Sequence, residues 1–161
     1  MPDVILICGK ICSGKSIYAE EIRRKYNAVI LSCDELTLSL KGEFLPEKHD
    51  DICKKFKRYL LDKSCDILNC GVSVILEFGF WTRHERTSVK NFFAERGVAA
   101  QLHYIKVSDE IWEKHIQCRN ELVKNHMSNN YFVDEGLKKK SSDLFEEPCG
   151  DEIDRLIEIY K

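Results

Sequence analysis

Apolar positions along the chain fall into short unbroken runs separated by longer stretches in which they recur every three or four residues. Val4-Ile5-Leu6-Ile7-Cys8 is the first unbroken run, the pattern of a strand covered on both faces. Helix formers fill residues 16–25, and Ala28-Val29-Ile30-Leu31 reads as a second short strand. The spacing predicts a long helix over 46–69, with Pro46 suited to its first turn and Gly71 to its stop. Ile52, Phe56, Leu60, Ser64 and Ile67 make one face of it. Residues 72–76 form a third predicted strand, 83–96 a helix stopped by Gly97, and 100–107 a fourth strand. Ser108 caps a helix over 109–120, with Asp109 and Glu110 at its positive end. Residues 121–130 are polar, lack a period and read as a mobile loop or short lid. Residues 134–145 fit a helix, and 153–160 fit an edge strand better than a helix.

Strand–helix alternation of this kind predicts an α/β protein with a mostly parallel sheet covered on both faces. Ligands of such sheets bind at the carboxyl ends of the strands. No repeat, low-complexity tract or linker breaks the pattern, so we expect one domain over residues 1–161 with a small lid around 120–133. The composition, 43% hydrophobic and 32% charged, is that of a soluble globular protein. A formal net charge of -2 gives no general attraction to nucleic acid, although a local basic groove stays open. Lys54-Lys55-Phe56-Lys57-Arg58-Tyr59 interleaves basic and aromatic residues, but Phe56 belongs to the apolar stripe and the lysines suit its solvated side. Lys138-Lys139-Lys140 reads as surface charge. The longest apolar run, Val4–Cys8, is of strand length, so no membrane span is expected. Asp3 before that run, with Lys10 and Lys15 after it, argues against an export signal, and the expected localisation is cytoplasmic. None of the eight cysteines has Cys-x-x-Cys spacing, so reduced thiols packed as small hydrophobes are expected. The five histidines show no transition-metal pattern.

The chemistry begins after the first strand. Gly9-Lys10-Ile11-Cys12-Ser13-Gly14-Lys15-Ser16 is Gly-x-x-x-x-Gly-Lys-Ser, lying between a predicted strand and a predicted helix. Gly9 and Gly14 allow backbone angles and close approach that a Cβ would obstruct. Amides of Ile11, Cys12, Ser13, Gly14, Lys15 and Ser16 can then surround phosphate oxygens at the positive end of a helix. Lys15 supplies a cation to the β- and γ-phosphates, and the Ser16 hydroxyl a ligand to Mg2+. A helix N-terminus could acidify the Cys12 thiol, but a small loop-filling residue is the plainer reading. Two acids, Asp34 after the second strand and Glu77 after the third, emerge on the same side. Either could hold Mg2+ or its waters, or accept a proton from an attacking hydroxyl.

Together with Asp34-Glu35, Gly79-Phe80-Trp81 and the late Phe145–Pro148 segment (Phe-Glu-Glu-Pro), the loop resembles the P-loop kinases of small molecules and nucleic-acid ends. That group takes in adenylate kinase-like, chloramphenicol phosphotransferase-like, zeta-toxin-like and polynucleotide kinase-like proteins, and proteins called AAA-family ATPases. The resemblance covers nearly the whole chain and implies a three-layer α/β/α fold with a five-stranded sheet in the order 2-3-1-4-5. It implies ATP as co-substrate, Mg2+ as cofactor, and γ-phosphoryl transfer to a hydroxyl of a small molecule. In that reading Asp34 is the general base that holds the acceptor, Glu77 contacts Mg2+, and Arg83 binds phosphate or substrate. Arg119, at the end of the helix before the lid, stabilises the transferring phosphoryl group, with Arg86, Lys124 and His126 as weaker candidates. A polynucleotide 5′-hydroxyl kinase and a nucleotide-dependent switch acting on a partner protein are the alternatives. Acceptor specificity is expected from residues 34–48 and the lid.

Overall fold

The structure, a computed structural model, describes residues 1–161. Its elements run β1 (Val4–Cys8), α1 (Lys15–Tyr26), β2 (Ala28–Ser32), α2 (Cys33–Ser39), a 3-10 turn (Pro46–Lys48), α3 (His49–Asn69), β3 (Ser73–Gly79), α4 (Arg83–Ala94), β4 (Ala100–Val107), α5 (Asp109–Lys124), α6 (Glu135–Leu144) and β5 (Arg155–Ile159). All strand pairings are parallel, in the order β2-β3-β1-β4-β5.

The apolar runs explain why β1 lies in the centre. Every residue of Val4–Cys8 is fully buried, because both faces of the sheet are covered. Val4, Leu6, Cys8, Val74, Leu76 and Leu102 meet Leu60 and Leu68 of α3 and Val89 and Phe93 of α4. Ile5, Ile7, Ile75 and Ile105 face the other way, onto Tyr18, Ala19 and Ile22 of α1. Alternate residues of each strand therefore serve opposite layers. Phe56 turns into the core as its stripe predicts, while Lys57 pairs with Glu85 and Tyr59 stays exposed.

Four elements differ from the sequence expectation. Helix α2 was not predicted, yet Ser32 caps it by accepting from the Glu35 amide at 3.3 Å, and Ser32-Cys33-Asp34-Glu35 has the Ser-x-x-Glu form of a capping box. The long predicted helix opens as a 3-10 turn at Pro46 before α3 proper. β3 runs on through Glu77, Phe78 and Gly79, and the chain leaves the sheet through two left-handed residues, Gly79 (φ 84°) and Phe80 (φ 51°). Helix α5 continues to Lys124, beyond the predicted end at 120. Its stop is a Schellman turn in which His126 (φ 56°) takes the left-handed position. The His126 amide donates to Val123 O at 3.1 Å and the Met127 amide to Leu122 O at 2.8 Å. No glycine marks that stop, so the sequence conceals it. Residues 155–159 are an edge strand paired with β4. No helix is long and apolar enough to cross a membrane.

Candidate active site

The loop between β1 and α1 is held tightly from below. A Cβ on Gly9 would lie 2.6 Å from Ser13 Oγ and 3.0 Å from the Ile105 carbonyl oxygen, so only glycine fits. Cys12 (φ 58°) and Gly14 (φ 96°) take left-handed angles that fold the loop back over the start of α1. Trp112 Nε1 donates to Ile11 O at 2.6 Å, and His115 Nδ1 lies 3.0 Å from Cys12 O. The Cys12 side chain packs among Trp112, Ile116 and Val133, and burial pushes its thiol above the usual range. Cys12 is thus a packed loop residue with a protonated thiol.

The open side of the loop is rich in donors. The N–H groups of Gly14, Lys15 and Ser16 have no acceptor within the chain, as expected of an α-helix start. Lys15 Nζ reaches back over the loop, donating to Gly9 O at 3.1 Å and Lys10 O at 2.6 Å. Burial lowers its pKa, while Asp34 and Glu77 act in the opposite sense. Free amides, a helix N-terminus and a cation at one concavity fit a polyphosphate.

Beside the loop, the Ser16 hydroxyl donates to Glu77 Oε1. Burial raises the Glu77 pKa, opposed by the Ser16 hydrogen bond and by Lys15. The hydroxyl, the half-buried carboxylate and the nearby Asp34 form an all-oxygen donor set beside the phosphate cradle, which fits a hard divalent ion such as Mg2+. Asp34 stands exposed at the second position of α2, whose N-cap is Ser32.

Asp34 and Arg119 line two cavities that meet at the loop. One, of about 550 Å3, also includes Ile11, Lys15, Thr37, Lys41, Phe44, Pro46, Glu47, His49, Trp81 and Tyr131. The other, of about 700 Å3, includes Ser16 and Glu77. Arg119 is therefore brought to the loop, but from the interior of α5 and not from the helix end that the sequence predicted. Seven of the residues 34–48 (Asp34, Thr37, Lys41, Gly42, Phe44, Pro46 and Glu47) and Tyr131 line the first cavity. Asn120 ties the segment before α6 back to α5: its side chain donates to Val133 O and accepts from Val133 N, both at 2.8 Å.

Arg83 lies apart from this group. Its guanidinium donates to Asp151 at 3.1 Å on the surface, and its amide donates to Glu146. Arg86 is buried, donating to Glu152 at 2.8 Å and to the Phe80 and Glu146 carbonyls at 3.0 and 2.9 Å. It fastens the turn after β3 to the segment before β5. Lys124 lies over the Phe132 ring. Of the three lysines expected as plain surface charge, Lys140 lines the first cavity and pairs with Asp50. Sequence reasoning reached Phe44 and Tyr131 only as members of the 34–48 segment and the expected lid, and gave no role to His49 or Lys140, since no motif marks them and the four meet only in space.

A likeness in fold extends to solved kinases. A gluconokinase from Sinorhizobium meliloti aligns over 99% of this chain and 84% of its own, at 16% identity and a TM-score of 0.70. The APS kinase of Mycobacterium tuberculosis, in complex with AMPPNP and APS, aligns over 97% and 87%, at 15% identity and a TM-score of 0.67. The Pnkp1/Rnl/Hen1 RNA repair complex aligns over 89% of this chain and 43% of that one, at 19% identity and a TM-score of 0.64. No curated protein matches the sequence. The parallel order 2-3-1-4-5 and the loop at its centre are thus those of the P-loop kinase fold. A family model described as an AAA domain (AAA_33) matches residues 4–130, and the chain belongs to that family of P-loop domains.

Proposed function

We propose that this protein transfers the γ-phosphoryl group of Mg·ATP to a hydroxyl group of a small molecule. The observation that carries the reading is that Asp34, Lys15 and Arg119 line one cavity at the mouth of the phosphate loop. The free amides of Gly14, Lys15 and Ser16 hold the phosphate chain, and Lys15 turns from its loop carbonyls to the phosphate oxygens. Ser16 and Glu77 hold Mg2+, which when bound neutralises charge on the β- and γ-phosphates.

The acceptor enters the cavity with its hydroxyl against Asp34. Asp34 takes the proton as the acceptor oxygen bonds to the γ-phosphorus and the bond to the β-bridging oxygen breaks. Arg119 faces the equatorial oxygens, where charge is spread during transfer. The chain works as one domain, with the segment around 120–133 as a lid whose Tyr131 covers the acceptor. Arg83, tied to Asp151, takes no part in this scheme.

Supporting this reading are the P-loop kinase fold and the family match. The cavity has the volume of a small-molecule site, typically about 300–1,000 Å3. The test is a screen of hydroxylated metabolites, nucleosides and oligonucleotides for phosphate transfer from γ-labelled ATP. Transfer to a small alcohol supports the reading; transfer only to oligonucleotide 5′ ends, or hydrolysis without transfer, contradicts it.

A further inference from the structure

Part of the lining of the cavity that holds Asp34 and Lys15 is aromatic. Phe44 and His49 lie with ring centroids 6.3 Å apart, and Tyr131 meets His49 edge-on at 5.8 Å and 84°. Trp81 closes the same wall, folded against Gly79, where an added Cβ would lie 2.9 Å from the indole Nε1. Four rings from three separate segments of chain thus surround one space. Edge-on and offset contacts of this kind recognise a flat aromatic ring.

Of the two lysines near the rings, only one is paired. Lys140 is bound to Asp50, with both carboxylate oxygens 3.1–3.2 Å from its Nζ. Lys41 also lines the cavity and makes no ion pair. Lys15 and Arg119 belong to the phosphate end.

We infer that the acceptor is an alcohol carrying a flat aromatic or heteroaromatic ring, the ring held by Phe44, His49, Trp81 and Tyr131 and the hydroxyl delivered to Asp34. This rests on the phosphotransferase reading and narrows it. A ring-free sugar acid and a nucleic-acid end, which needs an open basic channel, are the acceptors it disfavours.

Matched pairs of acceptors test it: thymidine against 2-deoxyribose, 3-phenylpropane-1,2-diol against propane-1,2-diol, with D-gluconate and a 5′-hydroxyl oligonucleotide alongside. Phosphate transfer is read as kcat/KM, and Mg·ATP binding is measured separately by calorimetry. At least one ring-bearing member is expected to exceed its ring-free partner by ten-fold or more, and to exceed gluconate and the oligonucleotide. In Phe44→Ala and Tyr131→Ala that preference falls below three-fold, whereas Tyr59→Ala, an exposed ring on α3 outside the cavity, keeps it. ATP binding with no ring preference in either pair, with gluconate or oligonucleotide preferred, or with the preference intact in both cavity variants overturns the inference and leaves the kinase reading standing. Absence of Mg·ATP binding removes the kinase reading itself, and this inference with it.

Discussion

The Ser16 hydroxyl, at the second position of α1, donates its hydrogen bond to the Glu77 carboxylate near the end of β3. Residues far apart in sequence meet there because β3 pairs directly with β1, so the acid at the end of one strand stands beside the loop that follows the other. Burial holds the Glu77 pKa above the ordinary glutamate value. Without metal, its protonated form is favoured in the fold, so its share of stability is full in acid and is lost as pH rises through the folded pKa. Mg2+ needs the ionised form. Affinity for Mg2+ in the presence of ATP is therefore expected to strengthen as pH rises above the carboxylate range. Glu77→Gln should weaken Mg2+ binding at neutral pH and flatten this dependence, as read by calorimetric titration at several pH values.

Lys15→Met removes the cation while keeping the length of the side chain. The loop carbonyls of Gly9 and Lys10 lose a donor, but a cation disfavoured by burial is also removed, so Tm is expected to shift by only a few degrees. Phosphate transfer should fall by about 100-fold or more, as for loss of a preorganised group facing developing charge. Circular dichroism melts and transfer kinetics on the same preparation separate the two effects.

Asp34→Asn keeps the shape of an exposed residue beside the loop and removes its capacity to take a proton. Transfer is expected to fall by about 100- to 10,000-fold, the usual range for a general base. Binding of Mg·ATP should stay within a few-fold. Equal loss of ATP binding and of transfer would mean that Asp34 serves the nucleotide or metal instead.

How much of this could be read from the sequence follows from the range of each signal. The β1 run, the Gly-Lys-Ser loop and the β4 run are local patterns, and their elements match the structure closely. Glu77 was legible because an acid after three buried apolar residues needs a nearby partner. Helix α2 carried its signal in Ser32 and Glu35, but its seven residues are too short for a period to show. The α5 stop was hidden because His126 supplies a left-handed turn usually given by glycine. Arg83 was expected at the site, yet Asp151 from the C-terminal segment holds it on the surface. The aromatic end of the cavity was invisible, since Phe44, Trp81 and Tyr131 are joined only by the tertiary fold.

The pair Arg86–Glu152 sets the geometry behind β3. Their side chains are 2% and 10% exposed and make a bond of 2.8 Å. Glu152→Ala leaves the guanidinium buried without its counter-charge, and the expected loss of stability is about 3–5 kcal/mol. Denaturant melts check it; a loss below about 1 kcal/mol would show that water replaces the carboxylate.

His103 gives the fold a pH limit of its own. Burial brings its pKa down to about 4, with Arg155 and Lys25 acting in the same sense and Asp154 against, while Tyr18 Oη lies 2.9 Å from its Nδ1. A base depressed in the fold stabilises it above its unfolded pKa of about 6.5, and that stability is lost as pH falls toward the folded value. The total at stake is about 3 kcal/mol. His103→Gln, which keeps an acceptor for Tyr18, should remove most of the slope of stability between about pH 6.5 and 4.

The central claim is that amides at the start of α1 grip a triphosphate. The most direct measurement is a crystal structure with Mg2+ and a non-hydrolysable ATP analogue. The account predicts the β- and γ-phosphates within hydrogen-bond reach of the Gly14, Lys15 and Ser16 amides and of Lys15 Nζ. A nucleotide bound elsewhere, or a loop that stays closed over Lys15 at saturating analogue, would contradict it.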